Sequence, residues 1–134
     1  DESVYRANVI KCREQIAARN QSGSIAVAVR NRLSNHFDTL LLHAGELAAP
    51  PTLEQVAAAM HLTPRTLIRK LQREDTAYKT VLEELRREYA QRLLQDARLK
   101  ITDVADILGY REAANFTRAF KRWHGVSPAS WRRR

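Results

Sequence analysis

Two short helices joined by a tight turn are predicted by the stretch at residues 52–73, TLEQVAAAMHLTPRTLIRKLQR. Thr52 and Gln55 have the spacing of a capping box, in which the Thr hydroxyl accepts a backbone amide and the Gln side chain returns to the cap residue. Thr63 is a favoured N-cap and Pro64 a favoured first helical residue, so a second helix should start there. The stretch therefore predicts a helix, a turn of a few residues and another helix.

The pattern of this stretch recurs closer to the C-terminus. A shift of 48 residues superposes position 56 on position 104. From position 67 onward the shift is 49, because the second copy of the pattern has one inserted residue. The superposed pairs are Val56/Val104, Ala57/Ala105, Met60/Leu108, Leu62/Tyr110 and Thr66/Ala114, then Leu67/Phe116, Arg69/Arg118, Leu71/Phe120 and Arg73/Arg122. A repeated pair of short helices joined by a turn is typical of two helix-turn-helix units. A generic helical bundle does not require such a repeat.

A long linker helix should join the two units. Its apolar residues step by three or four, namely Tyr78, Leu82, Leu85, Tyr89 and Leu93. Over residues 77–95 it would measure roughly 28 Å at about 1.5 Å per residue. We therefore predict an all-α fold in which the first unit covers about 23–76 and the second 96–134, together forming one domain at 23–134.

The chain before residue 52 predicts one long amphipathic helix in the first unit. Ser24 can cap it, and its apolar positions are Ile25, Val29, Leu33, Phe37, Leu40 and Leu41. We expect it to end near Gly45, with a break near Asn35 as the alternative, and Pro50 to prevent its continuation. Residues 1–22 have looser periodicity and should form a separate terminal helix.

Composition favours helices and a polyanionic partner. The 134 residues include four Gly, four Pro and 7% aromatics, which suits an all-α protein. Residues 52–134 hold 17 basic and 10 acidic side chains, and so carry +7 of the net charge of +8. Nucleic acid fits this balance, and so does an anionic membrane surface or a need for solubility.

The second helix of the first unit divides into an apolar face and a face that could reach DNA bases. Leu67 and Leu71 should be buried, which leaves Arg65, Ile68 and Arg69 facing outward. Arg suits bidentate contact with guanine, and Ile could touch a thymine methyl. An arginine pair at this spacing is also common on solvated surfaces, so the repeat carries the argument.

The corresponding helix of the second unit has the same division. Phe116 and Phe120 should be core, while Ala114, Asn115 and Arg118 form the exposed front. Alanine permits close approach and asparagine can pair with adenine. A linker of roughly 28 Å is compatible with successive major grooves about 34 Å apart, so one chain could occupy two grooves of double-stranded DNA.

Polar side chains beside these two faces are predicted to contact DNA phosphates: Thr63, Gln72, Thr117, Lys121 and Arg122. The terminal run Arg132–Arg134 could bind phosphate or simply be a mobile end. Tyr78, Tyr89, Trp123 and Trp131 lie on or beside apolar stripes and are expected to pack rather than stack on bases.

Two other classes of function remain to be weighed, an enzyme and a helical module that binds an acidic protein. No Gly-rich phosphate loop or paired nucleophile and base is present, and we expect no catalytic residue and no cofactor. His36, His43, His61 and His124 lack compact ligand spacing and Cys12 is far from them, so no metal site is predicted. Without an apolar run of about 18 residues, the chain is expected to be cytoplasmic with no membrane partner.

The second unit resembles the C-terminal signature of AraC/XylS-type bacterial transcription regulators. The residues that carry the resemblance are ITDVA at 101–105, LGY at 108–110, NFTRAFKRW at 115–123 and GVSPASWR at 125–132. The similarity covers about residues 25–134, with 53–74 matching the family's first helix-turn-helix. By position, Arg65, Ile68, Arg69, Ala114, Asn115 and Arg118 match the family's base-facing sites.

The resemblance implies that the protein binds promoters sequence-specifically and usually activates transcription through contact with RNA polymerase. It further implies that the protein is associated with the nucleoid. It also implies that residues 1–22 end a preceding sensor or dimerisation domain, through which the protein could self-associate. His61 and Asp75 stand where the family often has Gly, and Ala77 replaces a frequent hydroxyl cap. Histidine and aspartate tolerate left-handed backbone better than most residues, so we expect a modest cost.

Overall fold

A computed structural model describes residues 24–42 and 47–133, and every regular element in these ranges is a helix. The helices are α1 (Ile25–Leu42), α2 (Leu53–Ala59), α3 (Pro64–Arg73), α4 (Tyr78–Leu94), α5 (Ile101–Leu108), α6 (Ala113–His124) and α7 (Pro128–Arg132). The predicted all-α architecture is confirmed, with α2–α3 and α5–α6 as the helix-turn-helix pairs and α4 between them. The terminal helix predicted within 1–22 lies outside the described residues.

Helix α1 starts at the predicted cap and runs without the break considered near Asn35. The Ser24 hydroxyl accepts the amide three residues on at 3.1 Å. Glu74, just past the end of α3, accepts the amides of Ile25 at 2.9 Å and of the next residue at 3.2 Å. Asn35 is exposed and does not interrupt the buried stripe. The predicted end near Gly45 lies outside the described residues, and the structure describes the helix as far as Leu42.

A continuous core joins the two units. Helix α1 packs along α4 and also contacts α3 and α5, so it touches both units. Its apolar residues Val29, Leu33 and Phe37 are fully buried. The Phe37 ring lies 5.2 Å from the ring of Tyr89, whose hydroxyl donates to a carboxylate oxygen of Asp38 at 2.5 Å. The units are therefore held together by α1 as well as by the linker helix.

The linker helix α4 is slightly shorter than predicted. It has 17 residues, which corresponds to about 25 Å. Ala77 is its N-cap and supplies no side-chain hydrogen bond, as expected for a residue without a hydroxyl. Leu85, Tyr89 and Leu93 are buried as predicted, whereas Tyr78 is only half-buried. The Tyr78 hydroxyl donates to the backbone oxygen of Pro51, which ties the start of α4 to the segment before α2.

Candidate nucleic-acid interface

Helix α3 presents the outward face that its sequence predicts. Leu67 and Leu71 are buried against the core, at 0% and 1% exposure. Arg65 and Arg69 are exposed one helical turn apart, and Ile68 between them is 40% exposed. An aliphatic side chain and two guanidinium groups thus share one solvent-facing surface. This combination offers bidentate donors for guanine and an apolar contact for a thymine methyl.

Local capping fixes where α3 begins. The Thr63 hydroxyl accepts the Thr66 amide at 3.2 Å, and Pro64 occupies the first turn, which confirms the predicted start. Thr63 also donates to the Thr66 hydroxyl at 2.9 Å. The side chain of Thr63 is exposed, but its hydroxyl already serves the helix terminus. A phosphate contact there would have to share this hydroxyl with the cap.

Left-handed turns precede and follow the outward-facing helix of each unit, α3 in the first and α6 in the second. His61 has φ of 60° and Gly109, superposed on it by the repeat, has φ of 90°. At the far ends, Asp75 has φ of 58° and Gly125 has φ of 77°. The two non-glycine residues at these turns thus adopt left-handed backbone, which histidine and aspartate tolerate better than most residues. The first unit obtains the same chain reversal as the second without glycine.

Helix α6 presents a smaller and more polar outer face than α3. Phe116 and Phe120 are fully buried, while Ala114, Asn115 and Arg118 are exposed. The Arg118 guanidinium donates to the amide oxygen of Asn115 within the same helix. Pairing with adenine uses the same oxygen as an acceptor, so an adenine would have to share it with Arg118 or displace that arginine. Arginine and asparagine here form one linked polar group.

The predicted phosphate-contacting residues differ in their surroundings. Gln72 and Lys121 are exposed, and Thr117 is half-buried. Arg122 forms an ion pair with Glu83 of α4. The hydrogen bonds from Arg122 and from Trp123 lower the pKa of the Glu83 carboxyl below its usual range, against the opposing effect of burial. Arg122 is therefore paired with a carboxylate of the linker helix, although its side chain is largely exposed.

Arg86 of α4 holds the turn between α5 and α6. Its Nε donates to the backbone oxygen of Leu108 at 2.9 Å, and its Nη2 to that of Gly109 at 3.5 Å. The guanidinium also lies over the Tyr110 ring, 4.5 Å from the centroid, in a cation–π contact. A Cβ added at Gly109 would lie 2.5 Å from Cδ of Pro50. The second unit is thus seated against both α4 and the segment before α2.

The first arginine of the terminal run is structural. The Arg132 guanidinium donates to the backbone oxygens of Leu94 at 2.9 Å, Leu99 at 2.6 Å and Asp96 at 3.4 Å. These carbonyls belong to the end of α4 and the loop after it, which is where a helix leaves carbonyls without partners. Arg132 is thus engaged within the fold, and phosphate binding, one of the two roles considered for this run, stays a prediction.

The aromatic residues pack as predicted, and several stabilising contacts were not foreseen. Trp123 and Trp131 lie edge-on to Phe120, with ring centroids 6.4 and 5.9 Å apart. Sequence reasoning missed Glu83 and Arg86 because each looks like an ordinary charged residue on an exposed helix face. The only available signal was their spacing of three, which places both on one side of α4.

Neither a metal-binding cluster nor a membrane-spanning helix occurs in the part of the chain that the structure describes. No group of three or more His, Cys, Asp or Glu side chains in residues 24–42 and 47–133 could hold a metal ion. None of the helices there combines the length and the apolar character needed to cross a bilayer.

Comparison with known proteins gives consistent matches. A family model described as "Helix-turn-helix domain" matches residues 56–134. An uncharacterized HTH-type transcriptional regulator of Mycobacterium tuberculosis is 42% identical over 84 residues, which are 63% of this chain and 24% of the relative. The ornithine utilization regulator of Pseudomonas aeruginosa is 31% identical over 126 residues, which are 94% of this chain and 35% of the relative. The chain thus spans about a quarter to a third of the length of these relatives.

A solved structure shows the same fold. The C-terminal domain of AraT, a response regulator from Geobacillus stearothermophilus, superposes with a TM-score of 0.66 at 31% identity, over 81% of this chain and 84% of that one. The fold, the repeated helix-turn-helix units and the matched region agree. The chain belongs to the AraC family of helix-turn-helix, DNA-binding transcription regulators.

Proposed function

We propose that this chain binds double-stranded DNA sequence-specifically with α3 and α6 in two successive major grooves, and that the protein activates transcription at bacterial promoters. One observation carries the proposal. The superposed residues Arg69 and Arg118 are both exposed, while the residues two positions later, Leu71 and Phe120, are buried in one core. Each unit therefore offers one polar helix face, on a common scaffold.

The assignment of contacts follows from exposure and side-chain chemistry. Base contacts are assigned to the exposed fronts of the two helices: Arg65, Ile68 and Arg69 in α3, and Ala114, Asn115 and Arg118 in α6. Phosphate contacts are assigned to Thr63, Gln72, Thr117, Lys121 and Arg122. A linker of about 25 Å and the bridging helix α1 support a fixed separation between units, which suits grooves about 34 Å apart.

Selection of bound sequences from a random duplex pool tests the two-groove arrangement. Two half-sites about 10–10.5 base pairs apart, centre to centre, are expected if both helices read bases. A single half-site would contradict the arrangement. Binding that weakens steeply with salt distinguishes DNA from an acidic protein partner, because several phosphate contacts release counterions.

Alanine variants of Arg69 and Arg118 test the base contacts. Each should lose about 1–3 kcal/mol on the selected site and relax preference at one local position. Arg87→Ala removes the same charge from an exposed position on α4 and serves as the matched control. Unchanged affinity and unchanged sequence preference in both recognition-helix variants would contradict the assignment.

Activation requires partners beyond DNA. We propose contact with RNA polymerase at the promoter in the cytoplasm, and self-association of the full-length protein through a sensor or dimerisation domain preceding this one. In vitro transcription with purified polymerase should show increased product from a promoter that carries the selected site. Repression in that assay would reverse the proposed sign of regulation.

A further inference from the structure

The contact between Glu83 and Arg122 joins the linker helix to the recognition helix of the second unit. Arg122 lies four residues after Arg118, one helical turn further along α6. Its side chain is 64% exposed, while that of Glu83 is 37% exposed. The Glu83 carboxylate thus pairs with Arg122, the arginine to which we assigned a DNA phosphate contact. Both side chains remain accessible to solvent.

Glu83 is held in place by a second bond. The same oxygen, Oε1, accepts the indole Nε1 of Trp123 at 3.2 Å. Trp123 in turn packs edge-on against the buried ring of Phe120. The carboxylate is therefore anchored by the fold, whereas the exposed Arg122 side chain can leave it at small cost, because solvent-exposed ion pairs contribute little.

We propose that Glu83 restrains the DNA affinity of the second unit by competing with backbone phosphate for Arg122. The inference rests on the proposed function. A phosphate approaching Arg122 must displace the carboxylate or share the guanidinium with it. In either case the phosphate lies near the negative charge of Glu83, so the contact is weaker than one made by an unpaired arginine. Because phosphate contacts carry no sequence information, the restraint acts on all duplexes alike.

Glu83→Gln is the direct test. Glutamine keeps an oxygen that can accept the Trp123 indole, so the packing should survive while the competing charge is removed. Affinity for an unrelated duplex at low salt should rise by about two- to fivefold, the size expected for an exposed ion pair. The dependence of log K on log salt should steepen by up to about 0.9, which corresponds to one more effective phosphate contact.

Two further variants isolate the interaction. Glu84→Gln makes the same charge change one residue away, at a carboxylate that pairs with Arg30 of α1 at 2.5 Å, and should leave affinity nearly unchanged. In an Arg122→Ala background, Glu83→Gln should no longer tighten binding. A separate measurement without DNA is the carboxyl pKa of Glu83 by NMR, which Arg122→Ala should raise toward its ordinary value.

The outcomes separate this inference from the proposed function. If the wild-type chain binds no duplex, both are wrong. If the wild type binds and Glu83→Gln is unchanged, or is weakened as Arg122→Ala is, the restraint is wrong and the proposed function stands. Tightening that persists in the Arg122→Ala background would also overturn the restraint, because the charge of Glu83 would then act without Arg122.

Discussion

Arg132→Ala should destabilise the whole fold, although the residue lies in a basic run at the end of the chain. Its guanidinium connects α7 to the end of α4 and to the following loop through the backbone oxygens of Leu94, Leu99 and Asp96. Removing it leaves the Leu94 and Leu99 carbonyls to water or without a partner, whereas the Asp96 carbonyl keeps the amide of Leu99 at 3.1 Å. The loss should therefore appear as reduced stability before any effect on DNA binding.

The expected magnitude follows from the geometry. Hydrogen bonds from a charged donor contribute about 1.5–3 kcal/mol each, and two of the three are short, at 2.9 and 2.6 Å. Because Arg132 is only half-buried, water can replace part of what is lost, and we expect a total of about 2–3 kcal/mol. For a domain of about 100 residues this corresponds to a decrease in Tm of about 8–12 °C.

Thermal and urea unfolding followed by circular dichroism measure this change. Arg133→Ala is the matched control, because Arg133 is exposed and, among the described residues, donates only to the backbone oxygen of Ala129 at 3.3 Å. That variant should change stability by less than about 0.5 kcal/mol. Equal melting of the two variants would refute the structural role of Arg132. So would an Arg132→Ala protein of normal stability that had lost a salt-dependent part of its DNA affinity.

Three further predictions concern the turns, the buried hydroxyl and pH. Gly109→Ala should cost about 2–4 kcal/mol, because φ is +90° and the new Cβ would lie 2.5 Å from Cδ of Pro50. His61→Gly, at the superposed turn, should be neutral or stabilising by up to about 1 kcal/mol, and urea midpoints of both variants would show whether the left-handed backbone matters. Tyr89→Phe should cost about 1–3 kcal/mol in the same assay, because its buried hydroxyl bonds to α1; a neutral result would mean that those bonds contribute nothing net. Burial lowers the pKa of His36 from its usual value of 6.5. The stability contributed by the neutral imidazole is therefore complete above pH 6.5 and is lost as pH falls through the lower folded pKa. Tm should fall as pH drops below 6.5, and His36→Gln should flatten that fall.

Local signals in the sequence predicted the elements of each unit. The capping box of Thr52 and Gln55 is formed, with bonds of 3.1 and 2.9 Å. Thr63 and Pro64 start α3 as expected. These predictions succeed because each depends on residues within one helical turn of one another. The repeat then predicted the second unit, because equivalent apolar positions must bury in equivalent ways.

Contacts between distant residues could not be predicted in this way. Glu74 accepts two amides at the start of α1, 48 and 49 residues earlier in the chain, and no local pattern marks it as a cap. Arg132 looked like part of a charged terminus, yet its partners lie more than 30 residues away. Only tertiary packing brings these groups together. The assignments of individual base and phosphate contacts remain predictions, because they concern a partner outside the chain.

Helix α1 has a practical consequence for anyone who wishes to isolate a minimal DNA reader. The matched family region begins at residue 56, downstream of α1, and would suggest a fragment cut there. Such a fragment would expose the apolar surface of α4 against which Val29, Leu33 and Phe37 pack. It would also leave Glu74 with no helix to cap. The smallest DNA-binding fragment that folds independently should therefore begin before Ser24. Shorter fragments would be expected to aggregate through the uncovered side of the linker helix, whatever their sequence similarity to the family.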